Sequence, residues 1–209
     1  VKARNATGLG SDATVSGTPA VGSAPGAPTA LTATPGDAQV SLAWTAPVNS
    51  GGTAIAGYQI ERSLDAGMNW TVVSSNTGSS ITTYLVTGLA NGTAVSFRVS
   101  AINGAGSGAV TTTVTATPRT VPGAPGVPTA IAASGSIVLS WSAPSLDGGA
   151  PILDYTVERS TDGVNWTAVT TLTGTTTTVT GLVNGTAYSF RIRARNIAGQ
   201  SAASIVVTS

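Results

Sequence analysis

Glu61 stands four residues before Asp65, and Glu158 stands four before Asp162. Paired carboxyls are the raw material of glycoside hydrolysis, where one acts as acid and the other as base or nucleophile. Each pair here falls on a strand and its adjoining hairpin turn, with no sign of a cleft between them. The chain has no His and no Cys, which removes the usual general base, thiolate chemistry and the commonest metal ligands. Calcium needs clustered oxygen ligands, and no Asp-x-Asp run occurs. Gly104-Ala105-Gly106-Ser107-Gly108 is not followed by a helical pattern, so it is no phosphate loop. The expectation is a chain that is not an enzyme and holds no cofactor and no metal.

Two sets of residues remain as surface candidates. Arg191, Arg193 and Arg195 alternate along one segment and fall on one face of a strand. They form either a basic stripe for a polyanion or anionic glycan, or a solvated face paired across to Asp154 and Glu158. Between Pro122 and the end four acids face four bases, so the paired arrangement is favoured. Trp70 and Trp166 each sit in Asn-Trp-Thr after a turn. Such a ring stacks on a sugar or covers the edge of a core, and the packing reading is preferred. Asn5, Asn69, Asn91, Asn165 and Asn184 open Asn-x-Thr sequons, although turn chemistry already explains the Asn-Gly cases.

Composition narrows the partners. The 209 residues are 41% hydrophobic and 8% charged, with a net charge of +1. That charge gives no field to gather nucleic acid or anionic lipid. No apolar run approaches the roughly 20 residues that span a bilayer, so neither nucleic acid nor membrane insertion is expected. Low charge with this much apolar residue is not the signature of disorder.

The strongest signal is an internal repeat. Trp44 and Tyr58 recur 97 residues on as Trp141 and Tyr155. Glu61-Arg62-Ser63 returns as Glu158-Arg159-Ser160, and Asn69-Trp70-Thr71 as Asn165-Trp166-Thr167. Gly88-Leu89, Asn91-Gly92-Thr93, Phe97-Arg98 and Asn103 return as Gly181-Leu182, Asn184-Gly185-Thr186, Phe190-Arg191 and Asn196. Pro25-Gly26-Ala27-Pro28-Thr29-Ala30-Leu31 is matched to Pro125-Gly126-Val127-Pro128-Thr129-Ala130-Ile131. A partial third copy is read at the start, because Val1 to Gly8 resembles Val99 to Gly106. The expected organisation is the last two strands of a preceding repeat over 1–19 and a linker over 20–26. A domain over 27–117, a Pro-rich linker over 118–125 and a second domain over 126–209 follow. Proline-dense connectors are extended and semi-rigid.

Periodicity is two throughout. Val40, Leu42 and Trp44 alternate with Ser41 and Ala43, Ile137, Leu139 and Trp141 with Val138 and Ser140, and Phe190, Ile192 and Ala194 with Ser189, Arg191, Arg193 and Arg195. Such alternation predicts half-buried strands, and Asn-Gly, Asp-Gly and Gly-Gly signals break them into short pieces. About seven strands in each repeat predict an all-β, two-sheet sandwich.

The order of a Pro-rich lead-in, a Trp strand, a Tyr strand, Gly-Leu-x-Asn-Gly-Thr, a Phe-Arg strand and a late Asn resembles tandem fibronectin type III domains of bacterial extracellular proteins. The resemblance covers nearly the whole chain. It implies an immunoglobulin-like sandwich centred on Trp44 and Trp141, with Tyr58, Tyr155, Leu89, Leu182, Phe97, Phe190 and Tyr188 in the cores. It also implies a tyrosine corner at Tyr188, whose hydroxyl bonds back to nearby backbone; Val95 holds that place in the first full repeat. Some animal members carry Arg-Gly-Asp between the last two strands, but no Arg-Gly pair occurs here.

These readings lead to two expectations of function. The preferred one is a non-catalytic spacer in a long exported or cell-surface protein, bacterial or of a phage virion, with neighbouring repeats as partners. The alternative is adhesion or self-assembly, with polysaccharide or further copies in a fibre as partners. It would use exposed strands such as Thr111 to Thr115 and Thr175 to Val179.

Overall fold

The structure, a computed structural model, describes residues 4–9 and 22–209. Among these residues every regular element is a strand. A short hairpin comes first, β1 (Arg4–Asn5) against β2 (Gly8–Leu9). The first module contains β3 (Thr29–Gly36), β4 (Gln39–Thr45), β5 (Gly57–Ser63), β6 (Thr71–Ser74), β7 (Thr83–Thr87), β8 (Val95–Asn103), β9 (Gly106–Val110) and β10 (Val114–Ala116). The second contains β11 (Thr129–Ala133), β12 (Ser136–Ser140), β13 (Asp154–Ser160), β14 (Thr167–Leu172), β15 (Thr176–Thr180), β16 (Ser189–Asn196), β17 (Gly199–Gln200) and β18 (Val207–Thr208).

Each module is a sandwich of two antiparallel sheets. In the first, β3-β4-β7 faces β6-β5-β8, and β8 also pairs with both β9 and β10. In the second, β11-β12-β15 faces β14-β13-β16, with β17 and β18 both on β16. The last strand is thus split in each copy. The break is held by a hydroxyl: Val99 N–H donates to Thr111 Oγ1 at 3.2 Å, and Ile192 N–H to Ser204 Oγ at 3.0 Å. A side chain substitutes there for a missing ladder carbonyl.

The period-2 residues make the cores. Val40, Leu42, Trp44, Tyr58, Ile60, Val86, Leu89, Phe97 and Val99 are buried together in the first module. Ile137, Leu139, Trp141, Tyr155, Val157, Tyr188, Phe190, Ile192 and Ala194 are buried together in the second. Leu182 is only partly buried, at the edge of its core. Trp44 meets Tyr58 edge to face with ring centres 5.0 Å apart, and Trp141 meets Tyr155 likewise at 5.7 Å. Neither indole N–H has a hydrogen-bond acceptor among the described residues. The aromatic pairing and burial alone hold these rings.

One expectation needs correction. The proline motifs align at 97 residues, not 100. Gly26 N–H donates to Asn49 O at 2.9 Å, and Gly123 N–H donates to Leu146 O at 2.9 Å. Pro25 and Pro28 therefore correspond to Pro122 and Pro125, all four buried. Leu31 is buried at 6% exposure, whereas Ile131 is 67% exposed; buried Pro128 takes the place of Leu31. Thr-Ala follows a Pro in both copies, so sequence matching slid three residues, while pairing of Thr32 with Ala43 and Thr129 with Ser140 fixes the register.

Of the expected preceding repeat, only the hairpin at 4–9 is described. Asn5 pairs with Gly8 as Asn103 pairs with Gly106 and Asn196 with Gly199. The three glycines share a φ of 136°, 130° and 142°, so the hairpin has the shape of the last turn of each module. Residues 1–3 and 10–21, including the first two residues of the expected first linker, lie outside the described residues.

Candidate functional site

The recurring late asparagine fastens the lead-in segment to each module. Asn103 ends β8, and its Nδ2 donates to Ser23 O and to Ser50 O, both at 2.7 Å. Asn196 ends β16 and donates to Thr120 O at 2.8 Å and Asp147 O at 2.7 Å. Each Oδ1 accepts from the backbone of the turn, at Ala105 and Ala198. Both asparagines are buried, and each amide finds its partners in at least three backbone groups. The sequence showed that this residue recurs but gave it no task.

The three arginines of β16 are all paired. Arg191 Nε donates to Glu158 at 2.5 Å, Arg193 Nε donates to the same carboxylate at 3.2 Å, and Arg195 clasps Asp154. Register explains this: Arg191 lies opposite Glu158, Arg193 opposite Thr156 and Arg195 opposite Asp154. The Arg195 hydrogen bond holds the Asp154 carboxyl below its ordinary pKa, against the opposing effect of burial. The first module keeps only one pair of this stripe, Arg98 with Glu61 at 2.8 Å. Ser100 and Ile102 stand where Arg193 and Arg195 stand.

Sequence reasoning missed the partner of each half-buried tryptophan. The Arg98 guanidinium lies 4.2 Å from the centre of the Trp70 ring, and Arg191 lies 4.2 Å from Trp166. Each copy therefore joins a carboxylate, a guanidinium and an indole from Glu61, Arg98 and Trp70, or Glu158, Arg191 and Trp166. The ionic partner fixes the Arg, and the Arg covers an indole face. The joint recurrence of Phe-Arg, Glu-Arg-Ser and Asn-Trp-Thr was the available signal. Only strand register brings them together.

Tyr188 is buried, and Val183 N–H donates to its hydroxyl at 3.2 Å. Val95, its counterpart, is equally buried and offers no such acceptor. With the two sandwiches, the Trp–Tyr centres and this corner in place, comparison with known proteins settles the family. The fibronectin type III domain matches residues 26–117 and 123–209. The chain belongs to the fibronectin type III family. It is similar to Chitinase A1 of Niallia circulans, 35% identical over 91% of this chain and 27% of the chitinase. Exoglucanase A of Cellulomonas fimi is 39% identical over 93% of this chain and 22% of the exoglucanase. Chitinase C of Streptomyces lividans is 35% identical over 76% and 26%. The chain spans about a quarter of the length of these relatives.

The matched residues are two fibronectin type III modules, which are non-catalytic units, and the carboxylate pairs have structural work in them. Asp65 caps the β5–β6 turn: its oxygens accept from Ser63 Oγ at 2.6 Å, Asn69 N–H at 2.8 Å and Asn69 Nδ2 at 2.6 Å. These bonds, the Asn69 backbone first, then the Ser63 hydroxyl, hold its pKa down at about 2. Asp162 is bound the same way by Asn165, Val164 and Ser160, and its pKa is also driven far down. Glu61 and Glu158 are spent on arginine. Among the described residues no cluster of three acidic, His or Cys side chains could hold a metal ion, and no helix is long and apolar enough to cross a membrane. The sequon asparagines at 69, 91 and 165 each donate their amide to an aspartate. Of the two Thr-rich runs, Thr111 is buried in the split last strand, while Thr176, Thr178 and Thr180 face outward on the edge strand β15.

Proposed function

We propose that these fibronectin type III modules are structural spacers in an exported bacterial protein. They set the distance between other parts of that protein and take no part in its chemistry. The reading is carried by one observation: each module fastens its own lead-in segment to its body through a buried asparagine, Asn103 or Asn196. A connector so held transmits orientation, which a floppy tether does not. The likeness to chitinases and exoglucanases along most of the chain supports an extracellular, polysaccharide-degrading setting. The spent state of the Arg stripe and of Trp70 and Trp166 argues against an open sugar or polyanion site on that sheet.

Adhesion or self-assembly is the second reading, and one observation favours it. The outer face of β11-β12-β15 bears no charge; exposed Ile131 and Val138 stand opposite each other beside Thr176, Thr178 and Thr180. Light scattering across concentration, with a glycan array, separates the two. A monomeric rod that binds no glycan supports the spacer. Defined oligomers, filaments or specific glycan retention would replace it with the second reading.

A further inference from the structure

Two backbone hydrogen bonds tie the end of the first module to the segment that leads into the second. Gly92 N–H donates to Pro118 O at 2.9 Å, and Arg119 N–H donates to Gly36 O at 2.9 Å. Pro118 is buried there. Beside these bonds, Gly92 in the Asn91-Gly92 turn lies against Gly149 in the loop between β12 and β13. A Cβ on Gly149 would lie 2.3 Å from Gly92 N and 2.7 Å from Asn91 C. A Cβ on Gly92 would lie 3.2 Å from Gly149 Cα. Both residues have the left-handed φ that glycine adopts freely, 84° and 83°. The turn itself is braced, since Asn91 Oδ1 accepts from Ala38 N–H at 2.9 Å and its Nδ2 donates to Asp37.

We propose that the Asn-Gly turn at the far end of each module is a docking surface for the glycine-tipped loop of the module that follows, so that every joint repeats one orientation. The second module carries the same surface. Gly185 matches Gly92 with a φ of 81°, and Asn184 Oδ1 accepts from Gly135 N–H at 2.8 Å as Asn91 does from Ala38. Next to it is a groove of about 280 Å³, lined by Ile137, Leu182, Asn184, Gly185, Tyr188 and Ser209. Its occupant is a further module of this kind, joined directly after Ser209. Its lead-in would supply a carbonyl to the Gly185 N–H and an N–H to the Ala133 carbonyl, which holds the position of Gly36. A Gly-Gly loop is the tip that lets two backbones approach this closely. The inference rests on the spacer reading and deepens it, because it says what fixes the angle between spacers.

Amide hydrogen exchange and small-angle scattering test it on three chains: the parent, Gly149→Ala and Gly52→Ala. Gly52 occupies the same loop position in the first module, with a φ of 84°, and a Cβ there meets no described atom within 4 Å. It carries the same local strain without the joint. Gly149→Ala should speed exchange at Gly92 and Arg119 at least tenfold and broaden the scattering envelope, while Gly52→Ala leaves both as in the parent. Equal protection of Gly92 in the parent and in Gly149→Ala, or equal loss in both variants, overturns the proposal. A fourth chain repeats residues 117–209 after Ser209. Gly185 should gain protection there, and its exchanging as in the parent overturns the docking surface on the second module. A monomeric, extended chain whose Gly92 exchanges freely would keep the spacer and sink the joint.

Discussion

The side chain of Asn196 reaches Thr120, 76 positions earlier, and its Nδ2 donates to the Thr120 carbonyl at 2.8 Å. The same nitrogen bonds the Asp147 carbonyl, and the side chain is buried. Asn196→Ala removes both donors and strands two carbonyls, so it should destabilise the second module by about 2 to 3 kcal/mol. Asn103→Ala should do the same to the first. Urea denaturation checks this, and losses under half a unit would mean that the segment is held elsewhere.

Tyr188 accepts a bond from Val183 that Val95 cannot accept. The first module should therefore unfold before the second. Scanning calorimetry should resolve two transitions, and Tyr188→Phe should lower only the upper one, by about 1 kcal/mol. If Tyr188→Phe moves the lower transition, the order is reversed.

Ala38 has a φ of 51° where the second module has Gly135 at 65°. A Cβ in that region costs about 1 kcal/mol. Ala38→Gly should raise the lower transition, and Gly135→Ala should depress the upper one. The pair of variants separates backbone strain from any effect of side-chain contact.

Much of this was legible before any coordinates. The Trp, Tyr and Phe-Arg recurrences mark strands, because alternation is a direct image of a face turned inward. The arginine stripe was expected to face Asp154 and Glu158 because outward residues on neighbouring strands meet. What failed was the proline register. Two prolines three apart look alike in sequence, and the bonds from Gly26 and Gly123 with the strand register tell which is which. The glycine contact between Gly92 and Gly149 was illegible for a deeper reason. It is made of backbone, so no residue type announces it except by lacking a side chain.

The Asp65 carboxyl gives a pH test with a definite sign. Its pKa is lowered to about 2 from an ordinary 3.8. A depressed carboxyl adds stability that is present above the unfolded value and lost as pH falls through the folded one. The β5–β6 turn should thus hold at pH 4 and loosen between about 3.8 and 2. Asp65→Asn should flatten that dependence. Carboxyl titration by NMR reads it directly, and an Asp65 midpoint near 3.8 would remove the cap from the account.

The stacks on Trp70 and Trp166 decide whether these rings are packing or bait. Arg191 lies over Trp166 while its Nε–H donates to Glu158. If the ring is structural, Arg191 and Trp166 should be energetically coupled, by about 0.5 to 1 kcal/mol for a partly buried cation–π pair. Urea denaturation of Arg191→Ala, Trp166→Ala and the double variant measures that coupling. Repeating the cycle in 1 M salt separates the causes. Screening should weaken exposed ion pairs and leave ring stacking largely intact. A coupling near zero would free the indole face for a ligand, and the case against sugar stacking on that sheet would lose its footing.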